Sequence, residues 1–233
     1  MTVAIEAFSS TDAWAETCAE RLASALGEAL SANDKALFAG AGGSTPSPIY
    51  RRLAEADLDW SKVAVTLVDE RHVPESSPDS NARLMRETLL TGRAAAARFI
   101  PLHYAAVTVD RAAALAARAL QAEGPLDAVL LGMGEDGHIC SMFPGSPTLK
   151  TLLTTALEPA VFGVPPGRDG MAPPQERISL NIPYLARARR VVLALTGAKK
   201  RAVFEAEATG DPAVQPIAAL IASGAPLEVL WTE

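Results

Sequence analysis

The sequence predicts an α/β fold in which an open, mostly parallel sheet carries helices on both faces. Two observations carry that prediction. Short runs such as Val63–Val68, Leu126–Leu131 and Arg190–Thr196 stay apolar on consecutive residues, the mark of strands covered on both sides. These runs alternate with stretches of helical periodicity, the pattern of a doubly wound sheet.

Taken in order, Thr2–Phe8 alternates apolar and polar side chains and predicts a first strand. Ser9, Ser10, Thr11 and Asp12 offer N-caps for a long helix, whose apolar stripe is Trp14, Cys18, Leu22, Leu26 and Leu30. Ala36–Gly40 is a short apolar strand ending in glycine, and Pro46 and Pro48 suit the first turn of a helix reaching about Ala56. Val63–Val68 is the next strand, followed by helix over Ser80–Leu90 and an alanine-rich helix over Asp110–Gln121. Strands at Leu126–Leu131, Arg190–Thr196 and Leu227–Trp231 follow, with helices at Lys199–Ala208 and Ile217–Ala222 between the last two. Gly163–Gln175 holds four prolines and three glycines and is expected to be an active-site flap or an exposed loop. The expected architecture is one Rossmann-like, doubly wound domain over residues 1–233.

Composition narrows the function classes. The chain of 233 residues is 49% hydrophobic and 21% charged, which suits a globular protein with a sizeable core. Its net charge of −6 provides no electrostatic footprint for nucleic acid, although a local basic pocket can still hold a small anion. No apolar run approaches the length of a membrane span, and Met1–Glu6 lacks the basic and apolar regions of a signal peptide. A cytoplasmic location is expected, with no membrane partner. Cys18 and Cys140 form no C-x-x-C pair, and His72, His103 and His138 show no metal-ligand spacing, so neither a disulfide framework nor a metal is expected.

Three segments directly follow predicted strands, where ligands bind in open α/β sheets. The first, Gly40-Ala41-Gly42-Gly43-Ser44-Thr45-Pro46, reads equally as an anion cradle or as an ordinary glycine turn capped by a hydroxyl. It is neither a G-x-x-x-x-G-K-[ST] loop nor a G-x-G-x-x-G fingerprint. In the second, Asp69-Glu70-Arg71-His72-Val73-Pro74, Arg71 is the natural partner of a phosphate or carboxylate, while the charged run alone also suits a solvated loop. The third, Gly132-Met133-Gly134-Glu135-Asp136-Gly137-His138, sets a carboxylate two residues before an imidazole. That pair is suited to proton transfer, or else Asp136 is the N-cap of a helix. A G-x-S-x-G elbow is absent.

Together these segments resemble the 6-phosphogluconolactonase family, within the glucosamine-6-phosphate isomerase/deaminase-like superfamily. The resemblance runs along nearly the whole chain. It includes Gly42-Gly43-Ser44-Thr45-Pro46, Asp69-Glu70-Arg71-x-Val73-Pro74 and Asp79-Ser80-Asn81. It continues through Gly132-x-Gly134-x-Asp136-Gly137-His138-x-x-Ser141-x-Phe143-Pro144, Arg177-Ile178-Ser179-Leu180 and Thr196-Gly197-x-x-Lys200. It implies hydrolysis of 6-phospho-D-glucono-1,5-lactone to 6-phosphogluconate, without metal or organic cofactor. The implied catalytic residues are His138 as acid/base, with Asp136 and Asp69. The implied phosphate site comprises Gly42, Gly43, Ser44, Thr45, Arg71, Arg177 and Lys200. A phosphosugar lactone is the expected small-molecule partner, and a monomer or homodimer the expected assembly. Met142 and Cys140 depart slightly from the family pattern, and Cys140 is expected to be a buried structural thiol.

Two rivals are weighed against this reading. The sister isomerase/deaminase carries a glutamate five positions after the corresponding histidine, where this chain has Phe143; Asp69 is common to both families and does not discriminate. A non-catalytic phosphosugar sensor would need a DNA-binding segment. Within residues 1–35, Arg21 and Lys35 are outnumbered by acidic residues such as Glu6, Asp12, Glu16, Glu20 and Glu28.

Overall fold

The computed structural model describes residues 3–167 and 174–233 and follows the expected alternation of strands and helices. Strand β1 (Ile5–Phe8) leads into helix α1 (Thr11–Asn33). Ser10 caps that helix by accepting from the Ala13 N–H at 3.3 Å, and Asp34 ends it in the left-handed conformation. The predicted stripe is buried through Trp14, Cys18, Leu22 and Leu26. The Trp14 indole also donates to the Leu230 carbonyl at 3.0 Å, tying the helix to the far end of the chain.

The remaining elements are β2 (Ala36–Gly40), α2 (Ser47–Leu53), β3 (Val63–Leu67), β4 (Asp69–Arg71), α3 (Asn81–Thr88) and β5 (Arg98–Phe99). After them come α4 (Val109–Gln121), β6 (Ala128–Leu131), α5 (Leu149–Leu153), β7 (Val161–Val164) and β8 (Arg177–Leu180). The chain closes with α6 (Ile182–Ala186), β9 (Arg190–Thr196), α7 (Ala198–Glu207), α8 (Pro216–Ala222) and β10 (Leu227–Thr232). A seven-stranded sheet runs β1-β10-β9-β6-β2-β3-β5, with every pairing parallel. A second, three-stranded sheet runs β4-β8-β7 and is antiparallel. β2, β3 and β6 are buried at every position, as strands covered on both faces must be. Helix α2 packs on α1 and α3, whereas α5, α6, α7 and α8 contact one another in a separate group. That division follows from a strand order that proceeds first towards β5 and then back towards β10, because crossovers between parallel strands of one sheet keep a single hand.

Strand order reverses between β2 and β6. From β2 the chain moves to β3 and β5, then returns to β6 on the other side of β2. Gly40 stands opposite both Leu67 and Leu130 in the parallel ladders, so β2, β3 and β6 end at one level. The segments that follow them emerge at the crevice where such sheets take ligands.

Two expectations about local structure change. Gly163 and Val164, assigned from composition to a flap or loop, instead end β7, opposite Ile178 and Arg177. The rest of that segment includes residues 168–173, which lie outside the described residues. No helix begins at Asp136; the segment from Gly132 to Pro144 is a series of turns, and the next helix starts at Leu149. Among the described residues no helix is long and apolar enough to cross a membrane.

Candidate active site

The glycine segment after β2 is held from below and from the side. The Tyr50 hydroxyl, fully buried, donates to the Ala41 carbonyl at 2.6 Å. A Cβ on Gly42 would lie 1.9 Å from Asn81 Oδ1, so only glycine lets this backbone pass so close to the asparagine. Asn81 in turn donates its side-chain N–H to the Asp69 carbonyl at 2.9 Å, joining the first segment to the second.

In the second segment, neighbouring acids have opposite tasks. Glu70 is fully buried and accepts from the backbone N–H groups of Asn81 and Ala82, each at 2.8 Å, and from the Ser80 hydroxyl at 3.0 Å. It neutralises the N-terminus of α3. Burial raises its carboxyl pKa despite these donors. Asp69 faces the other way, into the crevice. It is 6% exposed, accepts from the Ser141 hydroxyl at 2.6 Å, and lies 3.7 Å from an Arg177 guanidinium nitrogen.

Arg71 and Arg177 are direct partners in the β4–β8 ladder. Two like charges opposite each other cost stability unless an anion lies between them. Both side chains line the crevice, and each has a buried Nε without a partner among the described residues. One Arg71 guanidinium nitrogen donates to the Asp79 carbonyl. Burial, and to a lesser degree Arg71 itself, lowers the Arg177 pKa against the pull of Asp69.

The third segment brings in the imidazole. A Cβ on Gly134 would lie 2.2 Å from His138 Nδ1, so the turn closes tightly over the ring. His138 Nδ1 lies 2.5 Å from Asp136 Oδ1, and the same oxygen accepts from the His138 backbone N–H at 3.3 Å. The hydrogen bond to His138 is the main cause of a lowered Asp136 carboxyl pKa. Cys140 is buried and lines the same crevice, and its thiol pKa is raised by burial and by Asp69, which leaves it a protonated thiol. The remaining histidines lie apart from the cavity wall. His72 Nε2 is 3.0 Å from the Val107 carbonyl, and its ring packs against that of His103 at a tilt of 58°.

These segments enclose a cavity of about 250 Å³. Gly42, Gly43, Ser44, Thr45, Asp69, Arg71, His138, Arg177 and Lys200 all line it; Asp136 does not and stands behind His138. Lys200 arrives from the first turn of α7, which follows β9 at the same sheet edge. Asn81 also lines the cavity, and Ser141 supports Asp69; sequence reading assigned neither a role. Both belong to quoted motifs, and the signal available was a polar residue beside a segment that had to pack closely. Among the described residues no group of three or more His, Cys, Asp or Glu side chains could hold a metal ion.

The family model described as "Glucosamine-6-phosphate isomerases/6-phosphogluconolactonase" matches residues 9–231. A 6-phosphogluconolactonase of Caulobacter vibrioides is 40% identical over 231 residues, covering 99% of this chain and 98% of the relative. The chain belongs to the 6-phosphogluconolactonase family. Another relative, from Rhizobium meliloti, is 41% identical over 234 residues and is covered to 99%. The crystal structure of a 6-phosphogluconolactonase from Shewanella baltica superposes with a TM-score of 0.91 at 35% identity, covering 100% of this chain and 98% of the other. As a family member the chain is a hydrolase of the 6-phosphogluconolactonase type. The family is that expected from the ordered motifs.

Proposed function

We propose that this enzyme hydrolyses 6-phospho-D-glucono-1,5-lactone to 6-phospho-D-gluconate, the second step of the oxidative pentose phosphate pathway, with His138 as the proton-transfer group. The observation carrying this reading is that the Asp136-bound imidazole and the Arg71–Arg177 pair face one cavity.

Asp136 takes the Nδ1 proton in a hydrogen bond and leaves the Nε2 lone pair to accept another. A water beside Nε2 loses its proton to the ring as its oxygen bonds to the lactone carbonyl carbon. The carbonyl oxygen becomes an oxyanion. When that oxyanion collapses, the bond to the ring oxygen breaks, and the imidazolium returns its proton to the leaving oxygen. One imidazole thus serves as base and then acid, and its charged form is stabilised by Asp136. Asp69, held by Ser141 and Asn81, is an acceptor for sugar hydroxyls or for the water.

The substrate phosphate sits between Arg71 and Arg177, with Lys200 and the Gly42–Thr45 backbone and hydroxyls as further donors. Binding a remote dianion in this way supplies energy for placing the carbonyl against the water. The buried Phe143 ring packs on His138, so no carboxyl stands where the isomerase would need a second proton carrier. The test is a timed assay of fresh lactone with spontaneous opening subtracted, beside one for ammonia release from glucosamine 6-phosphate. Acceleration in the first alone supports the reading; deamination without lactone opening overturns it.

A further inference from the structure

Phe143 is 3% exposed and stands outside the cavity wall, yet it touches two side chains that form that wall. Its ring centroid lies 4.4 Å from that of His138, with the planes tilted by 46°. The guanidinium carbon of Arg177 lies 5.2 Å from the same ring centroid. Each neighbour has other contacts that the ring completes. The bond to Asp136 holds the His138 ring at Nδ1, the Gly134 turn closes over it at Nδ1 and Cε1, and Phe143 adds an aromatic surface against which its plane rests. Arg177 has Asp69 at 3.7 Å and a buried Nε without a partner among the described residues, and the aromatic surface is a second contact for its guanidinium. The ring's backbone is itself anchored, because the Phe143 carbonyl accepts from the Ser146 N–H at 3.0 Å.

We infer that Phe143 is a positioning residue shared by the two halves of the site, one ring setting both the plane of the proton-transfer imidazole and the plane of the anion-binding guanidinium. This role rests on the proposed lactonase reaction. It predicts a joint effect. Loosening the imidazole lowers kcat, since small misplacements of a proton-transfer group are costly, and loosening the guanidinium raises KM and weakens phosphate binding. A residue that only filled space would lower the melting temperature and leave both constants of the folded enzyme alone.

The test compares Phe143→Leu and Phe143→Tyr with wild type in melting temperature, in kcat and KM for the lactone, and in calorimetric titration with inorganic phosphate. Phe143→Leu, still folded at the assay temperature, is expected to lose about tenfold or more in kcat and to raise both KM and the phosphate Kd by about threefold or more. Phe143→Tyr, which keeps the ring, is expected to restore all three to within about threefold. A folded Phe143→Leu enzyme with both kcat and KM near wild type overturns the inference, and so does a change confined to one of them. Should Phe143→Leu melt below the assay temperature, Phe143→Met is read by the same criteria. A wild-type enzyme unable to open the lactone contradicts the proposed reaction instead. Phe143 is then judged by the phosphate titration alone, where an unchanged Kd in Phe143→Leu overturns its role.

Discussion

His138 Nδ1 lies 2.5 Å from Asp136 Oδ1, and the same carboxylate oxygen also receives the backbone N–H of His138. One acid therefore fixes both the tautomer of the ring and the turn that carries it. Replacing Asp136 by Asn keeps the shape but allows an amide N–H to face Nδ1, favouring the tautomer with its proton on Nε2. Asp136→Asn is expected to lose about 10²–10⁴-fold in kcat with product binding little changed. Steady-state kinetics and calorimetric titration with 6-phosphogluconate check this; a loss below about threefold would mean that the carboxylate does not set the tautomer.

The arginine pair makes a different prediction. In the proposed reaction Arg71 would contact the substrate phosphate, which does not react, so its interaction would be made equally in ground and transition states. Arg71→Ala is expected to raise KM by about 10–100-fold, the worth of one charged hydrogen bond, with kcat nearly unchanged. A fall in kcat at constant KM would place Arg71 in the chemistry instead.

Glu70 tests the scaffold. Removing its carboxylate strands the N–H groups of Asn81 and Ala82 at the buried start of α3. Glu70→Ala is expected to cost about 3 kcal/mol, or roughly 6–12 °C in melting temperature for a chain of this size. Calorimetric melting at pH 7 measures it. A shift below about 2 °C would mean that the cap is dispensable.

Glu207 at the end of α7 gives a pH dependence. Burial, and secondarily Asp136, raises its carboxyl pKa above the ordinary value of 4.5, and its Oε2 is buried without a partner among the described residues. The folded state thus holds this proton more tightly than the unfolded state. The resulting stability is fully present below the unfolded pKa and is lost as pH rises through the folded one. Glu207→Gln lacks that titration, so its melting temperature should rise relative to wild type as pH is raised from about 4 to about 7. Melting curves of both proteins across that range decide it; a difference independent of pH contradicts the assignment.

The parallel sheet was legible because its strands are buried on both faces and advertise that in continuous apolar runs such as Val63–Val68. The small sheet was not. β4 is three charged residues, Asp69-Glu70-Arg71, whose strand character comes from pairing with β8 far along the chain, a partner that local pattern cannot reveal. The same pairing creates the Arg71–Arg177 juxtaposition, so the two arginines could be named from motifs but not set opposite each other. His138 and Asp136 were close in sequence, and their contact is a local turn. Phe143 stands in the sequence where the sister family carries a glutamate; its contact with Arg177 depends on where β8 returns. β5, with two residues, and the five-residue α5 and α6 are too short to show a period.

The proposed reaction turns on His138 moving the proton in lactone opening. The most direct measurement is the initial rate of 6-phosphogluconate formation from fresh lactone, coupled to 6-phosphogluconate dehydrogenase, for wild type and His138→Ala, with spontaneous opening subtracted. Clear acceleration by wild type is expected, with a loss of nearly all of it in a folded His138→Ala protein. His138→Ala activity within about tenfold of wild type would contradict it, because removing a proton-transfer group costs about 10²–10⁴-fold.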